Sequence, residues 1–392
     1  MRALAVLAGV CLAVPACGVA PDGAAVAPDA APAVVDAFVL DRPDDASLDP
    51  SDASTPPDAP AALADAPVDA RPPLPDADPV RAPVDQWTWV DVPGSACANG
   101  RPTGFGINPH ADARDVLIFL QGGGACWDGL SCWGPVSTSF YVSTGYGRLE
   151  FVTDVARTAM LFMRREAQNP FRDFNLVYVP YCTGDVHAGN RVATYDFFGR
   201  RATHHMGARN ISLLLPRVVA TFPNARRVFL AGDSAGGFGS AFNLARVQEA
   251  FPWLRVDVVD DSGPPVQPAG DRWATWARTW GVEIPPECPL CASSIDAFVD
   301  HYRTRYSRNR FAVLSFERDA IISTFMGLSP GDFRARVLGL ADRADRSWPA
   351  ARYFVAPGLL HVMQLLPVRP AGFDAWIRRF VDEDPTLRSV RP

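Results

Sequence analysis

From Trp87 onward, short continuous apolar runs alternate with stretches of helical spacing, and few architectures accept that order. The runs lie at 116–120, 176–179, 228–230, 256–259, 311–316 and 353–355. A strand that is apolar at successive positions is buried on both faces. Between the runs, 151–166, 205–221, 235–251, 295–306, 333–345 and 373–381 carry helical periodicity. The alternation predicts an α/β domain whose mostly parallel sheet is flanked by helices on both faces. The alternating pattern at 87–92 reads as an entry strand. In such a sheet ligands gather at the carboxyl ends of the strands, so functional residues are expected in the turns that follow them.

The chain ahead of this region has a different texture. Residues 1–16 run from a basic residue through an apolar core to small residues, the pattern of a signal peptide and too short to span a membrane. Cys17 follows Val14-Pro15-Ala16, which offers two readings: a lipobox anchoring the protein to a membrane through Cys17, or ordinary cleavage after Ala16. Residues 17–85 are dominated by Ala, Pro, Asp and Val, and such a composition cannot bury enough apolar surface to offset its ordering entropy. A disordered tether is expected there, with the folded domain at 86–392. The tether also accounts for the acidity: 21–85 carry a net charge of −11, leaving 86–392 at +4. All the basic side chains are Arg, and no basic run interleaved with aromatics points to nucleic acid. An exported protein, secreted or held at the outer membrane or periplasm as a lipoprotein, is expected, and as a monomer.

Six cysteines lie beyond Cys17, an even number that suits disulfides in an oxidising compartment. Local spacing favours Cys126–Cys132 and Cys288–Cys291, which leaves Cys97–Cys182. A zinc site is the competing reading for the close pairs, but no histidine lies near them in sequence, and neither metal nor cofactor is expected.

The apolar run at 228–230 turns through Gly232-Asp233-Ser234-Ala235-Gly236 into helical sequence. This is the G-x-S-x-G elbow, a strained strand-to-helix turn that raises a serine hydroxyl above the sheet. A serine nucleophile needs a base, and the base needs a carboxylate to fix its tautomer. Only His301 and His361 follow Ser234. His301 falls within a helical stretch, whereas His361 follows the last apolar run, where a base is expected. Asp319, just beyond 311–316, is the favoured acid; Asp260 and Asp261 are the alternative, otherwise lining a pocket or tying down their loop. After the first run, Gln121-Gly-Gly-Gly-Ala-Cys-Trp127 lets the backbone approach a substrate and offer N–H groups to an oxyanion, alongside the amide of Ala235. Asp185 and His187 read as pocket or scaffold residues, and His204-His205 as the start of a helix. Trp273, Trp276 and Trp280 share one helical face, as core or as a lid accepting an acyl chain or sugar.

Taken together, Gln121–Trp127, Tyr181-Cys-Thr-Gly-Asp185, Gly232–Gly237, Asp319 and Gly358-Leu-Leu-His361 resemble, in order from Cys97 to His361, the pectin acetylesterase/Notum family of serine carboxylesterases, in a bacterial branch. The resemblance implies an α/β-hydrolase fold, a catalytic Ser234, Asp319 and His361, and an oxyanion hole at Gly123, Gly124 and Ala235. Trp127, Asp185, His187 and Asp261 are candidate pocket residues. It implies an acetyl or acyl ester substrate, with polysaccharide among the candidates. The surroundings of Cys126-Trp127 and His187 depart from plant and animal members, so the substrate does not carry over. An amidase, or a surface binding protein that has lost the chemistry, are the rival readings.

Overall fold

A computed structural model of the chain describes residues 75–135, 137–155 and 160–392. The expected leader, Cys17 and the tether up to residue 74 lie outside the described residues. Residues 75–85, which composition assigns to the tether, run along the domain: the Val80 amide donates to Thr221 Oγ1 at 2.8 Å, and Asp85 meets His110 Nδ1 at 2.7 Å and Arg164 Nε at 3.1 Å.

The core is an eight-stranded sheet. Its strands are β1 (Thr88–Asp91), β2 (Gly104–Asn108), β3 (Asp115–Leu120), β4 (Asn175–Val179), β7 (Arg227–Asp233), β8 (Val256–Asp261), β9 (Phe311–Phe316) and β10 (Ala351–Ala356), in spatial order β1-β2-β4-β3-β7-β8-β9-β10. The β1–β2 and β2–β4 pairs are antiparallel; all the others are parallel. The predicted α/β architecture is therefore the observed one. Because successive side chains leave a strand on opposite faces, Ile118, Leu120, Leu230 and Val258 enter one apolar cluster while Leu117, Phe119, Phe229 and Val259 enter the other. Helices α3 (Gly207–Thr221), α4 (Ala235–Phe242), α5 (Leu244–Ala250), α6 (Arg272–Trp280), α7 (Ile295–Arg305) and α9 (Pro330–Ser347) contribute to the first. The second is covered by α2 (Arg148–Val155) and α10 (Phe373–Val381). Short helices α1 (Gly129–Trp133) and α8 (Ala320–Met326) complete the set.

Several details differ from the sequence reading. The helix expected at 235–251 is broken at Asn243, whose side chain donates to His187 O and Gly239 O, both at 2.9 Å. His204 and His205 end a strand and do not start a helix: β5 (Arg191–Asp196) and β6 (Arg200–His205) form a separate hairpin. The His205 side chain is fixed locally, since its Nδ1 donates to Thr183 O at 2.9 Å and its Nε2 accepts from the Tyr195 hydroxyl at 2.8 Å. Strand β2, with two glycines in five residues, has no apolar run to betray it.

The strand order places the site. The chain leaves β3 for β4 on one side and returns to β7 on the other, so the turns after β3 and β7 open beside one another at a topological switch point. Register pairs Leu120 with Gly232, which sets the glycine-rich loop against the serine turn.

Candidate active site

Ser234 sits between β7 and α4 with φ 53° and ψ −119°, a region that costs a non-glycine residue about 1–3 kcal/mol. Its amide donates to Asp261 O at 2.7 Å. Residue 236 must be glycine: a Cβ there would lie 1.9 Å from Leu120 O, so the helix is pressed against the end of β3. The helix begins immediately behind the serine and directs its partial positive end toward the hydroxyl.

The loop after β3 is bonded on every side. Gln121 O accepts from His187 Nε2 at 2.8 Å, and Gln121 Oε1 accepts from the Tyr181 amide at 3.0 Å. The Gly122 amide donates to Asp233 Oδ1 at 2.7 Å, and Gly123 O accepts from the Phe140 amide at 2.8 Å. Gly124 adopts φ 81°, and a Cβ there would meet Thr138 O at 2.0 Å. Among the described residues, the amides of Gly123, Gly124 and Ala235 donate to no hydrogen bond. Three free N–H groups beside a serine are what a developing oxyanion requires.

Asp319 and His361 come from the turns after β9 and β10, which are joined by Arg318 N–H to Gly358 O and Ala320 N–H to Leu359 O, both at 3.1 Å. Asp319 is fully buried and caps α8: Oδ1 accepts from the amides of Ile321 (3.0 Å) and Ile322 (2.9 Å). Its other oxygen accepts from His361 Nδ1 at 2.7 Å. That bond places the imidazole proton on Nδ1 and leaves Nε2 as the acceptor. Burial disfavours the charged imidazole, but the Asp319 hydrogen bond and the charges of Asp319, Asp261 and Asp233 outweigh it and hold the His361 pKa above its ordinary 6.5.

The remaining candidates lie behind this rim. Asp185 is fully buried and accepts from Thr183 Oγ1 (2.6 Å), the His187 amide (3.1 Å) and the Gly207 amide (2.8 Å). Burial pushes its pKa up to about 6 against those donors, and burial lowers His187 to about 4. His187 is therefore a neutral donor bracing Gln121. Asp260 accepts from the Gly263 amide at 2.8 Å, and Asp261 supports the loop that follows His361. His301 is on α7. Asp233 was not singled out by the sequence reading. Its position inside the elbow was the available signal, and burial raises its pKa to about 6.

An apolar pocket opens on Ser234, with about 480 Å³ of empty space including its mouth. Its walls include Phe238, Trp273, Trp276, Trp280, Ile322 and Phe325. All three tryptophans are buried wall elements: Trp273 Nε1 donates to Cys291 O and Trp280 Nε1 to Cys126 O, both at 2.8 Å, and Trp127 packs on Trp276 with ring centroids 5.3 Å apart. The wall is thus attached to two of the three disulfides among the described residues, Cys126–Cys132 and Cys288–Cys291; the third is Cys97–Cys182. The first two pairings are those favoured by spacing, and the third is the one that they leave.

Residues 86–268 match the family model described as pectinacetylesterase. The chain is also similar to palmitoleoyl-protein carboxylesterase NOTUM of Homo sapiens, at 29% identity over 180 residues, 43% of this chain and 34% of the relative. The corresponding Mus musculus protein is 28% identical over 181 residues, 43% of this chain and 33% of the relative. That of Drosophila melanogaster is 27% identical over 215 residues, 49% and 31%. The chain therefore spans about a third of the length of these curated relatives. The family match takes in the glycine loop and Ser234 and ends before Asp319 and His361.

Proposed function

We propose that the protein, whose residues 86–268 match the pectinacetylesterase family model, is a serine carboxylic-ester hydrolase acting through an acyl-enzyme. The observation that carries the reading is the Asp319–His361 pair, bonded at 2.7 Å in turns that share a sheet edge with the strained Ser234. His361 Nε2 takes the Ser234 hydroxyl proton as Oγ attacks the ester carbonyl, and Asp319 stabilises the imidazolium that forms. The amides of Gly123, Gly124 and Ala235 hold the oxyanion. As the tetrahedral intermediate collapses, the alcohol leaves with the proton from His361. Water then attacks the acyl carbonyl, His361 takes its proton, and Ser234 is released. The chemistry needs no cofactor.

The apolar pocket beside Ser234 receives the acyl group of an acetyl or longer acyl ester, and the alcohol side, polysaccharide included, faces the mouth. The related NOTUM proteins are named for removing palmitoleoyl from protein, so longer acyl groups belong in the test. The protein is exported as a monomer, with residues 1–16 as leader, a tether from residue 17 that ends before the docked segment 75–85, Cys17 as the lipid anchor point if the lipobox is used, and 86–392 as catalytic domain. Three disulfides fit an oxidising compartment.

The test is hydrolysis of p-nitrophenyl esters from acetyl to palmitoyl, together with acetylated polysaccharides, by wild type and Ser234→Ala. Wild type is expected to hydrolyse at least one ester and to be labelled by a fluorophosphonate probe, and Ser234→Ala to do neither while melting at nearly the same temperature. Wild-type rates in Ser234→Ala, or an unlabelled wild type, would refute the reading.

A further inference from the structure

The turn after β8 touches both halves of the site, although neither half is contiguous with it in sequence. The carbonyl of Asp261 accepts the Ser234 amide at 2.7 Å. Its carboxylate reaches the other way: Oδ1 accepts from the Met363 amide at 3.1 Å and Oδ2 from the Gln364 amide at 2.9 Å. The next residue repeats the arrangement, since Ser262 Oγ accepts from the Val362 amide at 3.0 Å and donates to Asp261 Oδ1 at 3.2 Å. Three consecutive amides directly after His361 therefore end on two consecutive side chains, both fully buried.

The backbone these bonds hold is strained. Val362 has φ 55° and ψ 100°, and Ser262 has φ 63°. A β-branched residue at positive φ is a rare outlier, and it persists only where its surroundings over-determine it. Released from its three acceptors, the segment 362–364 would relax toward ordinary φ and carry His361 with it. The Asp319 bond alone would not prevent this, because it fixes one nitrogen of the ring and leaves the ring free to pivot about that contact.

We propose that Asp261, with Ser262 as its extension, is a positioning residue that sets the spacing between Ser234 and His361. The inference rests on the hydrolase reading above. It assigns a distinct task to Asp261: one residue bonds to the nucleophile's amide through its backbone and to the base's loop through its side chain, so the two cannot drift independently. Asp319 orients and stabilises the imidazole; Asp261 locates it. Proton transfer requires heavy atoms within about 2.6–3.2 Å, and a misplacement of about 1 Å can cost about 100-fold.

The substitution Asp261→Asn keeps the volume and one acceptor oxygen but turns an –NH₂ toward one of the two amides. The test measures kcat and KM for the best ester from the panel, the rate of fluorophosphonate labelling and the melting temperature, in the full chain. Asp261→Asn is expected to lower kcat about 10- to 100-fold with KM within about twofold, and to slow labelling in parallel, because both need the serine activated by His361. Ser262→Ala, which removes a single acceptor, is expected to lower kcat several-fold and serves as the readout if Asp261→Asn does not fold. A folded Asp261→Asn with wild-type kcat, a rise in KM with kcat unchanged, or a wild-type Ser262→Ala would overturn the assignment. If wild type is active, Ser234→Ala inactive and Asp261→Asn normal, only this inference falls. An inactive wild type brings down the hydrolase reading and this inference with it.

Discussion

Replacing Asp319 by Asn separates orientation of the proposed base, His361, from integrity of the fold. The carboxylate has two duties, divided between its oxygens: Oδ1 caps α8 through Ile321 and Ile322, and Oδ2 accepts from His361 Nδ1. Asn is as good a helix cap as Asp, so its carbonyl oxygen keeps the first duty and its –NH₂ faces the imidazole. Nδ1 must then accept, the ring proton moves to Nε2, and Nε2 can no longer take the Ser234 proton. A wrong tautomer of this kind costs on the order of 10⁴ in kcat in a serine triad, equivalent to about 5 kcal/mol of activation free energy. Asp319→Ala is expected to lose similar activity and, with the cap gone, about 1 kcal/mol more stability than Asp319→Asn. The assay is kcat/KM on the best ester substrate together with thermal unfolding of both variants. If Asp319→Asn retains activity within tenfold of wild type, the reasoning from tautomer to rate is refuted.

Four further outcomes follow from the geometry. In the proposed mechanism His361 is a base only when neutral, and its pKa is held above 6.5, so kcat/KM should rise with pH through a midpoint above 6.5; a midpoint at or below that value would count against the Asp319 contact. By the same linkage, His361 contributes stability that is complete below 6.5 and lost as pH rises through its folded pKa. Burial lowers the pKa of His187 to about 4, so between 6.5 and 4 only the unfolded chain takes up that proton. The stability of wild type relative to His187→Gln should therefore shrink as pH falls across that window, measured by melting temperature; a constant difference would contradict it. Trp276→Leu removes part of the pocket wall and should raise the ratio of octanoyl to acetyl hydrolysis about tenfold, within the range that pocket methylenes command; an unchanged ratio would place the acyl chain elsewhere. Cys97–Cys182 closes a separation of 85 residues and Cys126–Cys132 one of 6. On loop entropy their removal costs about 4–5 and about 2 kcal/mol, an order that chemical denaturation of the paired Cys→Ser variants can check.

Much of the fold was legible because its strands are buried on both faces. β3 is Asp-Val-Leu-Ile-Phe-Leu and β9 is Phe-Ala-Val-Leu-Ser-Phe, runs that fit no solvent-facing element of that length. Where burial is achieved otherwise, the pattern fails. β2 reads Gly-Phe-Gly-Ile-Asn, yet every position is buried, because a Cβ on Gly106 would sit 2.2 Å from the Phe151 ring and the space is already filled from α2. The β5–β6 hairpin is largely exposed and carries charge, so it offers no hydrophobic period at all. The break at Asn243 interrupts an apolar helical pattern through a long-range bond to His187 O, a contact 56 residues distant that no local propensity encodes.

The site divides along a similar line. Ser234, Asp319 and His361 could be nominated because each stands in a turn after an apolar run, and because their side chains are the kinds that do chemistry. The residues supporting them work mostly by accepting backbone amides, and any carboxylate can do that from anywhere. Asp233 takes the Gly122 amide, Asp185 the Gly207 amide, and Asp261 those of Met363 and Gln364. In sequence these are interchangeable acids; only the folded chain distinguishes them, by which loop each one holds. The same division explains why burial raises the pKa values of Asp185, Asp233 and Asp261 to about 6, about 6 and about 7. A carboxylate whose donors are neutral amides and hydroxyls is stabilised mainly by dipoles, and in these three desolvation outweighs them and the His361 charge near Asp233 and Asp261. For these three acids the folded protein holds protons that the unfolded chain releases above about 3.8, so their share of stability declines as pH rises from there toward 6 or 7. By the pH at which His361 is neutral and competent, above 6.5, the site has therefore already lost most of this contribution from its supports. That trade is expected where a fold maintains strained loops at Ser234 and Val362 for the sake of a reaction.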